Sequence, residues 1–137
     1  MSAKSQIPCG LILVRLDTLE EFERGHGKEA GSAVLHEVAR TLRAMMRRSD
    51  FLGRWNAGSF LAVLPGCGMA PLERVGARMK RAAGRVAISW WGDRLSVNAS
   101  AAAVLVEAGD TLEAIEARLG RVADLDLSLA ETDGEGA

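Results

Sequence analysis

The run Arg47-Arg48-Ser49-Asp50-Phe51-Leu52-Gly53-Arg54-Trp55-Asn56-Ala57-Gly58-Ser59-Phe60-Leu61-Ala62-Val63-Leu64-Pro65 decides the fold. Phe51 to Trp55 and Phe60 to Leu64 have the length and side chains of short strands, and Asn56-Ala57-Gly58-Ser59 between them has the composition of a tight turn. Pro65-Gly66 stops the second strand. The stretch therefore predicts a β-hairpin. Upstream, Gly10 to Leu16 is almost wholly apolar, which fits a central strand covered on both faces. Thr18 to Arg24 reads as a short helix broken by Gly25 and Gly27. Lys28 to Arg48 reads as a long helix, with Val34, Leu35, Val38, Leu42 and Met45 recurring at helical spacing. Downstream, Met69 to Ala83 is a helix with Leu72, Val75 and Met79 on one face. Val86 to Trp91 and Leu95 to Val106 read as strands joined by Gly92-Asp93, and Asp110 caps a helix through Leu119.

The order of elements predicts an α+β (α/β-like) domain: a nucleotide-cyclase or ferredoxin-like mixed sheet flanked by helices, without internal repeats. The 137 residues suit one domain. We divide them into a lead-in over 1–8, a domain over 9–126 and a flexible acidic tail over 127–137. Apolar residues make up 48% and charged residues 26%, a globular profile. A net charge of −1 supplies no global field for nucleic acid, so none is expected as a partner. No apolar run is long enough to span a bilayer, and residues 1–7 lack the apolar stretch of a signal peptide, so a cytoplasmic chain without membrane insertion is expected. Cys9 and Cys67 have no ligand-like spacing and read as small buried or half-buried residues. Trp90 and Trp91 are adjacent, so on a strand they face opposite ways. One of them then meets solvent, a helix or a partner.

Several landmarks fall in one gapless register: Leu16-Asp17, Gly27 through Gly31 to Leu35, Arg47-x-x-Asp50, Arg54-Trp55, Phe60 and Pro65, with Val97 to Ser100 further on. Together they resemble the GGDEF (diguanylate cyclase) family over roughly residues 9 to 120. The resemblance implies two phosphate-bridging metal ions on hard carboxylates. At the matching positions this chain has Arg15 and Gly58. The signature hairpin itself reads Asn56-Ala57-Gly58-Ser59-Phe60, keeping only its Phe. The family's guanine-recognising Asn and Asp fall on Glu23 and Ser32. We therefore expect no metal, no cofactor and no cyclase activity.

The family's inhibitory Arg-x-x-Asp motif for cyclic di-GMP matches Arg47 and Asp50, five residues before the hairpin, and its second Arg falls on Arg78. A guanidinium fork suits guanine N7 and O6, and Asp50 can accept from the N1–H and N2–H₂ edge. Arg78 can stack on a base or bind a phosphate. The bland alternative stands beside this one: Arg at a helix C-terminus is favoured by the dipole, Asp50 can cap a turn, and Arg78 can be merely solvated. Two functions follow. One is a catalytically inactive receptor for cyclic di-GMP that signals to a protein partner or homodimer. The other is a dimerisation or docking module without a nucleotide.

Overall fold

The computed structural model describes residues 8–107 and 109–120. The elements are β1 (Cys9–Leu16), α1 (Leu19–His26), α2 (Lys28–Ala44), β2 (Phe51–Asn56), β3 (Ser59–Pro65), α3 (Met69–Arg85), β4 (Ile88–Trp90), β5 (Asp93–Leu95) and β6 (Ala99–Val106), followed by α4 (112–120). Four strands form one sheet in the order β2-β3-β1-β6, and β4 with β5 forms a separate ribbon. The fold is the α+β arrangement the sequence predicts. Its sheet is not mixed, however: each described pairing is antiparallel. The reason lies in the connections. The helical crossovers from β1 to β2 and from β3 to β6 each skip a strand, so strands that run parallel are never neighbours.

β1 is apolar up to Arg15 because both of its faces are covered. Ile12, Val14 and Leu16 point into the main core with Phe60, Ala62 and Leu64 of β3, Val34, Val38 and Leu42 of α2, and Leu72, Met79 and Ala83 of α3. Leu11 and Leu13 point the other way and pack with Val104 of β6 and Leu119 of α4. Complete burial of each such side chain stabilises the fold by roughly 1.5–3 kcal/mol. Close approach of α3 depends on Gly10, where an added Cβ would lie 2.5 Å from a methyl of the fully buried Leu72. α1 gives way to α2 at Gly27, whose φ of 98° is open to glycine at little cost.

Several boundaries differ from expectation; α1, for one, runs through Gly25 to His26. α2 ends at Ala44, not Arg48, because Met46 already bonds back to Arg43 in a tighter turn and the amide of Arg47 turns to the Asp50 carboxylate. A side-chain acceptor here outcompetes the helix. The expected strand Leu95 to Val106 is two strands, since β5 pairs only with β4 whereas β6 pairs with β1. Residues 96–98 make the change, with the Asn98 carbonyl accepting from the Asp17 amide at 2.9 Å. The turn of the β4–β5 ribbon is Trp91-Gly92, one residue earlier than expected. Both have positive φ, 52° and 89°, as a type I′ turn requires. The helix cap also moves: Thr111, not Asp110, accepts from the Ala114 amide at 3.0 Å, and Asp110 instead pairs with Arg118.

Cys67 is buried and Cys9 half-buried, both as free thiols. No helix among the described residues is long and apolar enough to cross a membrane. The lead-in (apart from Pro8) and the acidic tail lie outside the described residues.

Candidate functional site

The end of β1 meets the β2–β3 hairpin through backbone pairing. Arg15 pairs with Ser59 on one side and Ser100 on the other, and the Leu16 amide donates to the Gly58 carbonyl at 2.8 Å. The hairpin is ordered by its own side chains. Asn56 Oδ1 accepts from the Gly58 amide at 3.1 Å, an Asx turn. Arg54 clamps the loop from beneath, donating to the carbonyls of Asn56 at 3.3 Å and Ala57 at 2.6 Å while lying over the Phe60 ring at 5.5 Å. A bulge between Arg54 and Asn56 brings the two within reach. This clamp escapes sequence reasoning, because a bulge leaves no mark on the hydrophobic pattern.

The donor set at this junction does not fit a pair of divalent cations. A guanidinium, Arg15, stands at one matching position and a residue without a side chain, Gly58, at the other. Asp17 is the nearby carboxylate, and Ser100 donates to its Oδ1 at 2.7 Å. Desolvation pushes the Asp17 carboxyl above its ordinary value, against the opposing pull of the Ser100 hydrogen bond and of Arg15 and Lys80. Space is not what is lacking at Gly58. A Cβ there would meet Leu19 at 3.5 Å and the Leu16 carbonyl at 3.7 Å, both ordinary contacts. Among the described residues no group of three or more His, Cys, Asp or Glu side chains converges in a way that would hold a metal ion.

Ser32 lies at the rim of a cavity of about 320 Å³ between α2 and the hairpin, shared with Leu35, His36, Arg43, Arg54 and Phe60. Glu23 packs over Gly31 in the first turn of α2, one residue from Ser32. Ser59 is buried at the start of β3, and Ala57 is exposed at the loop tip.

Arg47 and Asp50 come together. Asp50 accepts from the Arg47 amide at 2.7 Å, from Nε at 3.2 Å and from Nη2 at 2.9 Å, and the same Nη2 reaches the Pro65 carbonyl at 2.9 Å. The Asp50 side chain is only 2% exposed, that of Arg47 55%. Burial alone would raise the Asp50 carboxyl, but the hydrogen bonds and charge of Arg47 outweigh it and hold the group below its ordinary value. In this geometry the Asp50 carboxylate is turned toward Arg47 and little of it meets solvent. Arg78 stands apart, exposed on α3 in a groove with Arg40, Arg81 and Arg85 that Arg47 does not line.

An antiparallel sheet in this order, backed by α2 and α3 and carrying a hairpin beside the end of its central strand, defines an α+β domain of the nucleotide-cyclase kind. The sequence matches the family described as "Diguanylate cyclase, GGDEF domain" over residues 1–135, and the chain belongs to that family. It is 30% identical over 97 residues, 71% of its length, to the probable diguanylate cyclase DgcE of Escherichia coli K12, of which it spans only 9%. Among solved structures it resembles the diguanylate cyclase SiaD of Pseudomonas aeruginosa, determined in complex with its activator SiaC. That match has 26% identity and a TM-score of 0.78 over 93% of this chain and 47% of the other. A sensory box/GGDEF family protein from Caulobacter crescentus CB15 is likewise 26% identical, with a TM-score of 0.74 over 92% of this chain and 80% of that one.

Proposed function

We propose that this GGDEF domain is catalytically silent and acts as a receptor for cyclic di-GMP. The observation that carries the receptor reading is the posture of Arg47. Its guanidinium is fixed on one side by the buried Asp50 and the Pro65 carbonyl, yet more than half of the side chain meets solvent. A fork oriented in advance loses less entropy on meeting guanine N7 and O6. Asp50 then serves as the residue that positions Arg47, and Arg78 on α3 supplies a second cation for a base or a phosphate. The silent reading rests on Arg15 and Gly58, which leave the junction without the carboxylates that metal-assisted phosphoryl transfer needs.

Calorimetric titration with cyclic di-GMP, using GTP and cyclic di-AMP as controls, tests the first part. Saturable, guanine-specific binding that Arg47→Ala weakens roughly ten- to hundredfold is expected. Folded protein that gives no heat overturns the receptor. Incubation with GTP and Mg²⁺ tests the second part, and any cyclic di-GMP formed overturns it. One observation favours the docking reading as the second choice: Trp91 is 90% exposed at the tip of the β4–β5 ribbon. Sedimentation that shows a dimer lost on Trp91→Ala would support it.

A further inference from the structure

Of the groove between α2 and α3 the cyclic di-GMP reading uses only Arg78. Its walls carry Arg40 and Thr41 from α2 and Arg78, Arg81 and Arg85 from α3, with Ala82 between them, around a volume of about 570 Å³. That volume lies within the range of small-molecule sites. No Asp or Glu is among the described residues that line it. Glu37 approaches Arg40 at 3.7 Å, but with the Arg40 side chain 71% exposed this is a weak pair.

Helix dipoles do not account for the cluster. Their pull fades within the last turn, which covers Arg85 on α3 and Arg43 on α2. Arg78 lies seven residues before the end of α3, and Arg40 four before the end of α2. Their charges repel one another without a dipole to offset them, and an anion in the groove would relieve that.

The spacing selects the anion. Arg78, Arg81 and Arg85 stand at i, i+3 and i+7, so they share one face of α3. At 1.5 Å of rise per residue the row is about 10 Å long. A single phosphate engages one or two forks, whereas a linear chain of phosphates presents oxygens along the whole row, each able to take a guanidinium pair. Arg40 and Thr41 face the row from the other helix.

We propose that the α2–α3 groove binds a linear polyphosphate chain, inorganic or carried by a nucleoside, free of metal. With no carboxylate in its lining, the groove has nothing to hold Mg²⁺, so Mg²⁺ competes by neutralising the ligand. The site is distinct from the cyclic di-GMP reading and shares only Arg78 with it. Arg81 and Arg85 therefore test it alone.

The experiment is titration of the intact chain with tripolyphosphate in low salt without Mg²⁺, repeated with ATP, orthophosphate and cyclic di-GMP. Saturable one-to-one binding of tripolyphosphate is expected, at least tenfold tighter than orthophosphate and weakened by Mg²⁺. ATP binding as well as tripolyphosphate places recognition in the chain alone, and markedly tighter ATP binding adds the nucleoside to it. Arg81→Ala with Arg85→Ala, both at exposed positions, weakens tripolyphosphate at least tenfold with an unchanged circular dichroism spectrum. Arg94→Ala, on the β4–β5 ribbon, leaves it unchanged. Absence of saturable binding overturns the proposal, as does a double variant that binds like the parent or an equal loss on Arg94→Ala. Failure of cyclic di-GMP binding with tripolyphosphate binding intact overturns only the receptor reading.

Discussion

Asp50→Ala separates the structural from the ligand role of the Arg47–Asp50 pair. The Asp50 side chain is buried and accepts from three nitrogens of one residue, of which the amide of Arg47 at 2.7 Å is the nearest. Removing the carboxylate leaves that amide without its partner at the point where α2 has just ended. A hydrogen bond to a charged acceptor contributes about 1.5–3 kcal/mol, and the guanidinium, being largely in solvent, adds little. For a chain of this length a loss of 1 kcal/mol lowers the melting temperature by roughly 3–5 °C, so Asp50→Ala should melt about 5–15 °C below the parent at pH 7 without any ligand. The pH dependence has a definite sign. The folded carboxyl lies below its ordinary value, so its contribution is present above the unfolded pKa of about 3.9 and is lost as pH falls through the folded value. Thermal melts followed by circular dichroism from pH 7 into acid should show the gap between parent and variant close below that range. A gap within about 1 °C at pH 7, or one that persists in acid, refutes the assignment. Asp50 would then be free to meet a ligand.

Two further outcomes follow from backbone positions. Gly10→Ala forces a Cβ against the fully buried Leu72 and should cost about 1–3 kcal/mol, read from the urea midpoint; an unchanged midpoint would mean that α3 shifts freely over β1. Trp91 holds a φ of 52°, which costs a non-glycine residue roughly 1–2 kcal/mol. Asn suits the first place of a type I′ turn, so Trp91→Asn should raise the urea midpoint, and a lowered midpoint would show that the indole packs on the domain.

Much of the fold was legible because hydrophobic period and punctuation agree. β1 reads as a doubly covered strand and is one. Phe60 to Leu64 and Met69 to Ala83 fall within β3 and α3. Two of the misplaced boundaries share a cause: a polar group took a backbone hydrogen bond that a local pattern assigns elsewhere. The Asp50 carboxylate took the amide of Arg47 from α2, and the Asn98 carbonyl took that of Asp17 where one long strand was expected. The ribbon turn slipped because a tryptophan with positive φ runs against residue preference. Only the flanking geometry selects it over Gly92-Asp93.

The site was legible as identities and not as orientations. The register placed Arg15 and Gly58 at the junction of β1 and the hairpin, and the backbone pairing of Arg15 with Ser59 puts them there. It also paired Arg47 with Asp50. What it left open was the direction Asp50 faces, because a motif four residues long is equally satisfied by a carboxylate aimed at a ligand and by one that caps the turn at its own arginine. Burial decides between these, and a four-residue motif does not specify burial; the Pro65 carbonyl, eighteen residues on, holds the same guanidinium. The same limit applied to Arg78. Its position was matched alone, yet α3 places it in a row with Arg81 and Arg85 that belongs to no motif, since a helical stripe becomes a site only when a second helix supplies the facing wall.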